Sequence, residues 1–282
     1  MKTPESLISP ALLVVVVLCC VATGALAQEA PARSPTTPEA SQWLDASGDP
    51  LPFQDDEAVR EALRSATLVS REPSSLPGLE RLELLLLEAD GARFHALLLG
   101  RGNAAKREIA ASLIDELLGL HLVPPVVERT IGDGTAAVQI WRQGAGTAIE
   151  IERAGQLVPP DPKDFAEQRQ AVYLFDNLIA NSGRGQGNTV IDPGWRIWLI
   201  DHAGAFRPTS GLLHEVELTK CDRSLWQRLR SLDKRTLQEL AAPYLEAKQV
   251  SALVARHRKV VRHIQGMITT FGEDVVLFDG SR

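Results

Sequence analysis

The sequence predicts an α+β protein of two lobes: a small antiparallel sheet with one prominent helix, then a mostly helical half, with a cleft between them. Three observations lead there. The first half contains two hairpin signals, the second half is dominated by helical periodicity, and a Gly- and Pro-rich stretch between residues 144 and 162 divides them.

The folded part opens with a helix over Asp56 to Ala66. Ala58, Val59, Ala62 and Leu63 form its apolar stripe, and Asp55 is placed to cap it. A loop containing Pro73, Pro77 and Gly78 follows. Leu82 to Leu87 and Ala92 to Leu99 then flank Glu88-Ala89-Asp90-Gly91 as a hairpin. A helix is expected from about Ala104 to Leu120, capped by Asn103, with Ile109, Leu113 and Leu117 at four-residue spacing. Gly119 and Pro124-Pro125 bracket its end. Val126 to Ile131 and Thr135 to Trp141 close a second hairpin around Gly132-Asp133-Gly134. Beyond the division, Asp164 and Glu167 form a capping-box pattern ahead of a helix reaching Ala180, with Phe165, Val172, Phe175 and Ile179 on one face. Further helices are expected at Asp222–Leu232, Lys234–Leu240 and Glu246–Thr270.

Composition removes several function classes. With 282 residues, 44% hydrophobic and 23% charged, the chain has ample material for a packed core and is not a disordered sequence. A net charge of −6 gives no general attraction to nucleic acid or anionic membrane, and neither is expected as a partner. Cys19 and Cys20 sit inside the first hydrophobic run, which leaves Cys221 alone and excludes a disulfide scaffold. The six histidines are scattered, so no zinc site is expected, and no Gly-x-Ser-x-Gly hydrolase elbow occurs. Arg256, His257, Arg258, Lys259, Arg262 and His263 read as the solvated face of a helix whose buried stripe is Leu253, Val260, Ile264 and Met267.

Lys2, the apolar run Ala11 to Ala22, and small residues at Ala25 and Ala27 match a secretory signal peptide cut after Ala27. The run is shorter than the ~20 residues of a spanning helix, so no stable membrane span is expected after cleavage. Export to a periplasmic or extracellular location follows. Glu29 to Ser41, rich in Pro, Ala, Ser and Thr, reads as a disordered spacer. The resulting organisation is a signal peptide at 1–27, a disordered linker at 28–50, a first lobe at 51–143 and a second at 144–282.

The chemistry concentrates between Asp176 and Phe206. A glycine-rich loop, Ser182-Gly183-Arg184-Gly185-Gln186-Gly187-Asn188, leads into a strand from Thr189 to Ile191, the turn Asp192-Pro193-Gly194, and a strand from Trp195 to Ile200 that ends in Asp201-His202. Folding about Pro193-Gly194 sets Asn188 roughly opposite Leu199, two residues from Asp201. Two hard oxygen donors beside a loop of backbone N–H groups suit Mg²⁺ with phosphate. Asn and Asp at strand ends serve equally well as turn formers.

Asp176-x-x-x-x-Asn181-x-x-Arg184-x-x-x-Asn188, then Asp201-His202-x-x-x-Phe206, resembles the catalytic and metal-binding loops of the atypical kinase-like superfamily. Within it the likeness is to phosphoinositide-kinase-like proteins and to secretory-pathway and bacterial toxin-type kinases. The runs from Lys106 to Leu120 and from Val123 to Arg129 are similar to the N-lobe helix and strand of exported bacterial members. The resemblance implies a two-lobed protein-kinase-like fold that uses ATP with Mg²⁺ or Mn²⁺. It implies Asn188 and Asp201 as metal ligands, Glu108 as the N-lobe helix acid, and Gln139, Trp141 and Arg142 near the hinge that holds the adenine.

The chain departs from that pattern where catalysis needs it most. Gly183 stands where the family places its catalytic Asp, and Gly185 where a His often follows. The strand Ala92 to Leu99, which should carry the phosphate-binding lysine, has only Arg93 and His95 as basic residues, with Arg101 and Lys106 as nearby substitutes. Losing a general base typically costs ~10²–10⁴ in rate. His202, Asp176 and Arg184 remain as catalytic candidates; His202 and Asp176 also read as structural groups that hold the loop. The leading expectation is an exported pseudokinase that binds a nucleotide or phosphate ligand through a divalent metal. The alternatives are an active kinase acting on a protein, lipid or small-molecule acceptor, and a ligand-free scaffold with a protein partner.

Overall fold

The computed structural model describes residues 42–156 and 158–280. The expected signal peptide and the spacer as far as Ser41 lie outside the described residues.

Helix α1 (Asp56–Ser65) is capped as expected, with the Asp55 carboxylate accepting from Ala58 N at 2.8 Å. A five-stranded antiparallel sheet follows, built from β1 (Thr67–Pro73), β2 (Glu83–Ala89), β3 (Ala92–Arg101), β4 (Val126–Ile131) and β5 (Gly134–Ile140) in the order β1-β2-β3-β5-β4. Both expected hairpins are present. Strand β1 was not expected: every one of its residues is exposed, so its sequence carries no apolar alternation. Helix α2 (Asn103–Leu118) packs on β3, β4 and β5. It begins at Asn103 behind Gly102, without the side-chain cap expected of Asn103, and ends as predicted on Gly119 in the left-handed conformation.

Past the sheet, the stretch expected to be loose forms a short strand, β6 (Gly146–Thr147), and a short helix, α3 (Ala148–Arg153), capped by the Thr147 hydroxyl. Helix α4 (Pro162–Ile179) takes Asp161 as its cap instead of the Asp164–Glu167 pair, because Pro162 fits the first helical position and the Asp161 carboxylate reaches Lys163 N and Asp164 N. Strands β7 (Thr189–Ile191) and β8 (Ile197–Leu199) join β6 in a three-stranded sheet. Strand β9 (Cys221–Asp222), helices α5 (Arg223–Ser231), α6 (Lys234–Ala241), α7 (Ala247–Phe271) and α8 (Glu273–Val276), and strand β10 (Leu277–Phe278) complete the helical lobe, with β9 and β10 parallel. No helix among the described residues is long and apolar enough to cross a membrane.

Two apolar cores hold these elements, and they are stitched together. One gathers Leu85, Phe94, Leu97 and Val138 from the sheet but also Val190, Trp198 and Ile200 from the β7–β8 hairpin. The other gathers Phe175, Leu178, Leu199, Leu253 and Val260 but also Ala111, Ile114 and Leu118 from α2. The hairpin that carries the glycine loop is therefore fixed from both sides.

Two further expectations are corrected. The sequence predicts a disordered linker as far as residue 50, yet Trp43 is buried against Trp198 at 5.2 Å and Leu44 bridges to Pro50. The apolar area of Trp43, Leu51 and Phe53 is enough to pin this stretch to the sheet lobe. The basic run of α7 is not one solvated face, because α4, α5 and α6 all pack on that helix. Arg256 is fully buried, donates to the carbonyls of Leu178, Arg207 and Thr209, and has its pKa lowered to about 10 by burial. His257 is buried on the Leu229 carbonyl, and burial draws it below the usual histidine range. Cys221 is a buried free thiol whose pKa burial pushes up.

Candidate active site

Helix α4 ends at Ala180, which adopts the left-handed conformation and turns the chain into the glycine loop. Asp176, on the last turn, is fully buried and organises that loop chiefly through Arg184. Arg184 Nε donates to Asp176 Oδ2 at 3.1 Å and Nη2 to Oδ1 at 3.3 Å, a two-pronged pair. The remaining prong, Nη1, donates to the carbonyls of Asn188 at 2.7 Å and Ile200 at 3.0 Å. Asn181 Nδ2 adds a bond to Asp176 Oδ1 at 3.2 Å.

The loop's backbone donors are turned inward. Gly183 N donates to Asn181 Oδ1 at 3.2 Å and Gly185 N to Asn188 Oδ1 at 2.8 Å, while Asn188 Nδ2 donates back to the Gly183 carbonyl at 3.0 Å. The expected cradle of N–H groups is thus used by the loop's own asparagines at those two positions. The strand register also differs by one residue from expectation. Thr189 pairs with Leu199, which puts Asn188 opposite Ile200 and next to Asp201. Trp195 adopts a left-handed conformation (φ 62°), which lengthens the turn through Arg196 and produces the shift.

Asp201 also has a positive φ, 58°, and is 4% exposed. Its carboxylate forms an ion pair with Arg81, which reaches it from the loop between β1 and β2. His202 is fully buried, with its ring edge-on to Phe175 at 5.8 Å. Its Nδ1 lies 3.0 Å from Oε2 of Glu108 in α2, so the two lobes meet in a buried acid–imidazole pair. The outer atoms of that pair, Glu108 Oε1 and His202 Nε2, have no hydrogen-bond partner among the described residues.

Six of the nine singled-out residues therefore converge: Asp176, Arg184, Asn188, Asp201, His202 and Glu108. The other three lie at the end of β5 and are engaged otherwise. Gln139 is buried and donates to the Pro124 carbonyl, and Trp141 N donates to the His95 carbonyl. The Arg142 guanidinium lies over both Trp43 and Trp198, 5.3 and 5.2 Å from their centroids, and pairs with Asp192 at 3.3 Å. Burial in that stack lowers its pKa.

Neither basic substitute named for the missing lysine reaches the site. Arg101 donates to the Ile131 and Gly134 carbonyls of the β4–β5 hairpin, and Lys106 is exposed. The cation that does arrive, Arg81, was missed. Its signal in the sequence is slight: an arginine in a loop between Leu79 and Leu82, both of which turn out to be buried.

No family model matches the sequence, and no curated protein matches it. Among solved structures, hydra Fam20 with sugar superposes at a TM-score of 0.59 and 14% identity, covering 80% of this chain and 93% of that one. This is the atypical-kinase fold. The Golgi casein kinase agrees with it at a TM-score of 0.54 and 13% identity, covering 80% of each chain. The Helicobacter pylori proinflammatory kinase CtkA aligns at a TM-score of 0.45 and 11% identity over 67% of this chain and 95% of that one. The first two superpositions establish the two-lobed kinase-like architecture and nothing finer. In it, α2 carries Glu108, Gln139 lies near the end of β5, and Asn188 and Asp201 flank the β7–β8 hairpin.

Proposed function

We propose that this protein is an exported pseudokinase: a kinase-fold module that works by binding a protein partner and does not transfer phosphate. One observation carries the reading. Among the described residues, the three positions singled out for acid–base work offer no accessible group. Gly183 supplies no side chain, Asp176 is fully buried on Arg184, and His202 is fully buried on Glu108. A base must lie within hydrogen-bond reach of an acceptor's proton, and groups locked in the interior do not meet that demand.

The ligand side of the site supports the same reading. ATP with Mg²⁺ or Mn²⁺ is what the fold family implies, and Asn188 and Asp201 are the residues that would hold the ion. As they stand they do not fit it. The Asn188 amide is bonded at both ends within the glycine loop, and the Asp201 carboxylate carries a guanidinium. Among the described residues no group of three or more His, Cys, Asp and Glu side chains is assembled for a metal. The export part of the proposal rests on the N-terminal charge, apolar run and small-residue pattern.

The experiment is a transfer assay on the mature chain with γ-labelled ATP, Mg²⁺ or Mn²⁺, and protein, lipid and sugar acceptors. The expected result is incorporation no greater than that of Asp201→Ala. Incorporation above that control removes the pseudokinase reading. Gly183→Asp is a useful companion, because a Cβ at Gly183 meets only Asn181 Oδ1, at 3.5 Å, so the carboxylate can be restored without a clash.

A further inference from the structure

The ion pair at Asp201 has a consequence beyond the loss of catalysis. A carboxylate that is 4% exposed and bears no counter-charge is strongly disfavoured, so Asp201 requires a cation in this fold. In a metal-using site that cation is divalent and diffusible. Here Arg184 of the glycine loop is engaged on Asp176, and Arg101 is held away on the β4–β5 hairpin. The β1–β2 loop delivers Arg81 to the position instead.

We infer that Arg81 is the resident cation of this site, a built-in replacement for a divalent ion, and that it keeps metal away from Asp201. The inference rests on the pseudokinase reading and deepens it. The loop is constructed to hold the arginine there. Leu79 and Leu82 anchor it in the apolar core of the sheet lobe, with Leu79 N bonded to the Leu76 carbonyl and Leu82 N to that of Leu79, both at 2.9 Å. Pro77 presents its carbonyl to the Thr147 hydroxyl at 2.9 Å. Gly78 meets Gly187 of the glycine loop backbone to backbone: a Cβ on Gly78 would lie 2.4 Å from Gly187 Cα. Both glycines are required by that approach, and Gly78 also has a positive φ of 85°. The arginine is thus the tip of a strap fastened at Thr147, at the glycine loop and in the core.

The chemistry distinguishes this cation from a metal. A guanidinium cannot be chelated, exchanged or diluted away, and it repels a second cation brought to the same carboxylate. Its side chain is 69% exposed, so substitution removes a charge and leaves little cavity.

The test is Mn²⁺ binding to the mature chain, followed by the loss of the free-ion paramagnetic signal, with Mn²⁺ alone as the probe. Wild type is expected to show no site dependent on Asp201. Arg81→Ala should bind Mn²⁺ at least about tenfold more tightly than wild type, by removing a like charge from the site. Asp201→Asn placed on top of Arg81→Ala should abolish the gain. Arg81→Lys, which keeps the charge, should stay like wild type, and thermal melts of each variant verify folding. If Arg81→Ala loses its cooperative melt, Arg81→Gln replaces it. Equal Mn²⁺ binding by wild type and the neutral variant, or no binding by a folded neutral variant, overturns the inference. Failure of the pseudokinase reading would be seen separately, as phosphate incorporation.

Discussion

Arg184→Ala is expected to destabilise the protein by about 3–5 kcal/mol, the usual consequence of removing one partner from a buried ion pair. Arg184 is the sole basic partner of the fully buried Asp176 carboxylate among the described contacts, and it also donates to the Asn188 and Ile200 carbonyls. Its loss leaves a buried charge with only Asn181 to answer it and frees both ends of the glycine loop at once. Urea unfolding followed by tryptophan fluorescence measures the change. Arg184→Lys should recover little, since an ammonium cannot grip both carboxylate oxygens while reaching two carbonyls. Asp176→Leu combined with Arg184→Met should recover much of the loss, because no uncompensated charge then remains. A change below about 1 kcal/mol for Arg184→Ala would mean the pair is exposed to water and does not set the loop.

His202→Ala is expected to cost a similar amount, about 3–5 kcal/mol, for a related reason. Glu108 is 1% exposed, its Oε2 has His202 as partner at 3.0 Å, and its Oε1 has none among the described residues. Removing the imidazole strands the carboxylate and opens a gap against Phe175. The double variant with Glu108→Leu should be more stable than His202→Ala alone, and the cycle should give a coupling of about 1–3 kcal/mol. Additive losses would show that the two side chains do not act as a pair. The pair also identifies what α2 does in this chain: its buried acid is tied to the residue after Asp201, so the helix and the β7–β8 hairpin are held as one body.

What could be read from the sequence follows from where its information is local. The β2–β3 and β4–β5 hairpins, α2 and α4 announce themselves through apolar periodicity and turn residues, all within a few positions of one another, although the side chains expected to cap α2 and α4 do not cap them. The glycine loop and its asparagine and aspartate neighbours read as a candidate site for the same reason. Strand β1 was not, since an edge strand with both faces exposed has no pattern to show. Nor was the packing of Trp43, whose partner Trp198 lies far along the chain and whose surroundings are polar and proline-rich.

Within the site, residue types were a better guide than roles. Asp176 and Arg184 read as catalytic candidates because their spacing fits a kinase loop, whereas their side chains meet each other and set the loop's shape. Asn188 reads as a metal ligand, whereas its amide staples Gly183 to Gly185. Arg81 illustrates the limit most clearly. The kinase pattern points to the strand where a kinase keeps its lysine, whereas the cation comes from a loop whose reach depends on how β1, β2 and two buried leucines are arranged.

The most direct test of the account is calorimetric titration of ATP into the mature wild-type chain, once with Mg²⁺ or Mn²⁺ and once with EDTA. A site whose carboxylate is held by Arg81 predicts no heat that depends on the metal, in a protein shown to be folded by its cooperative melt. A saturable, metal-dependent heat that disappears in Asp201→Ala would contradict the account, because it would place an exchangeable divalent ion where the guanidinium is assigned.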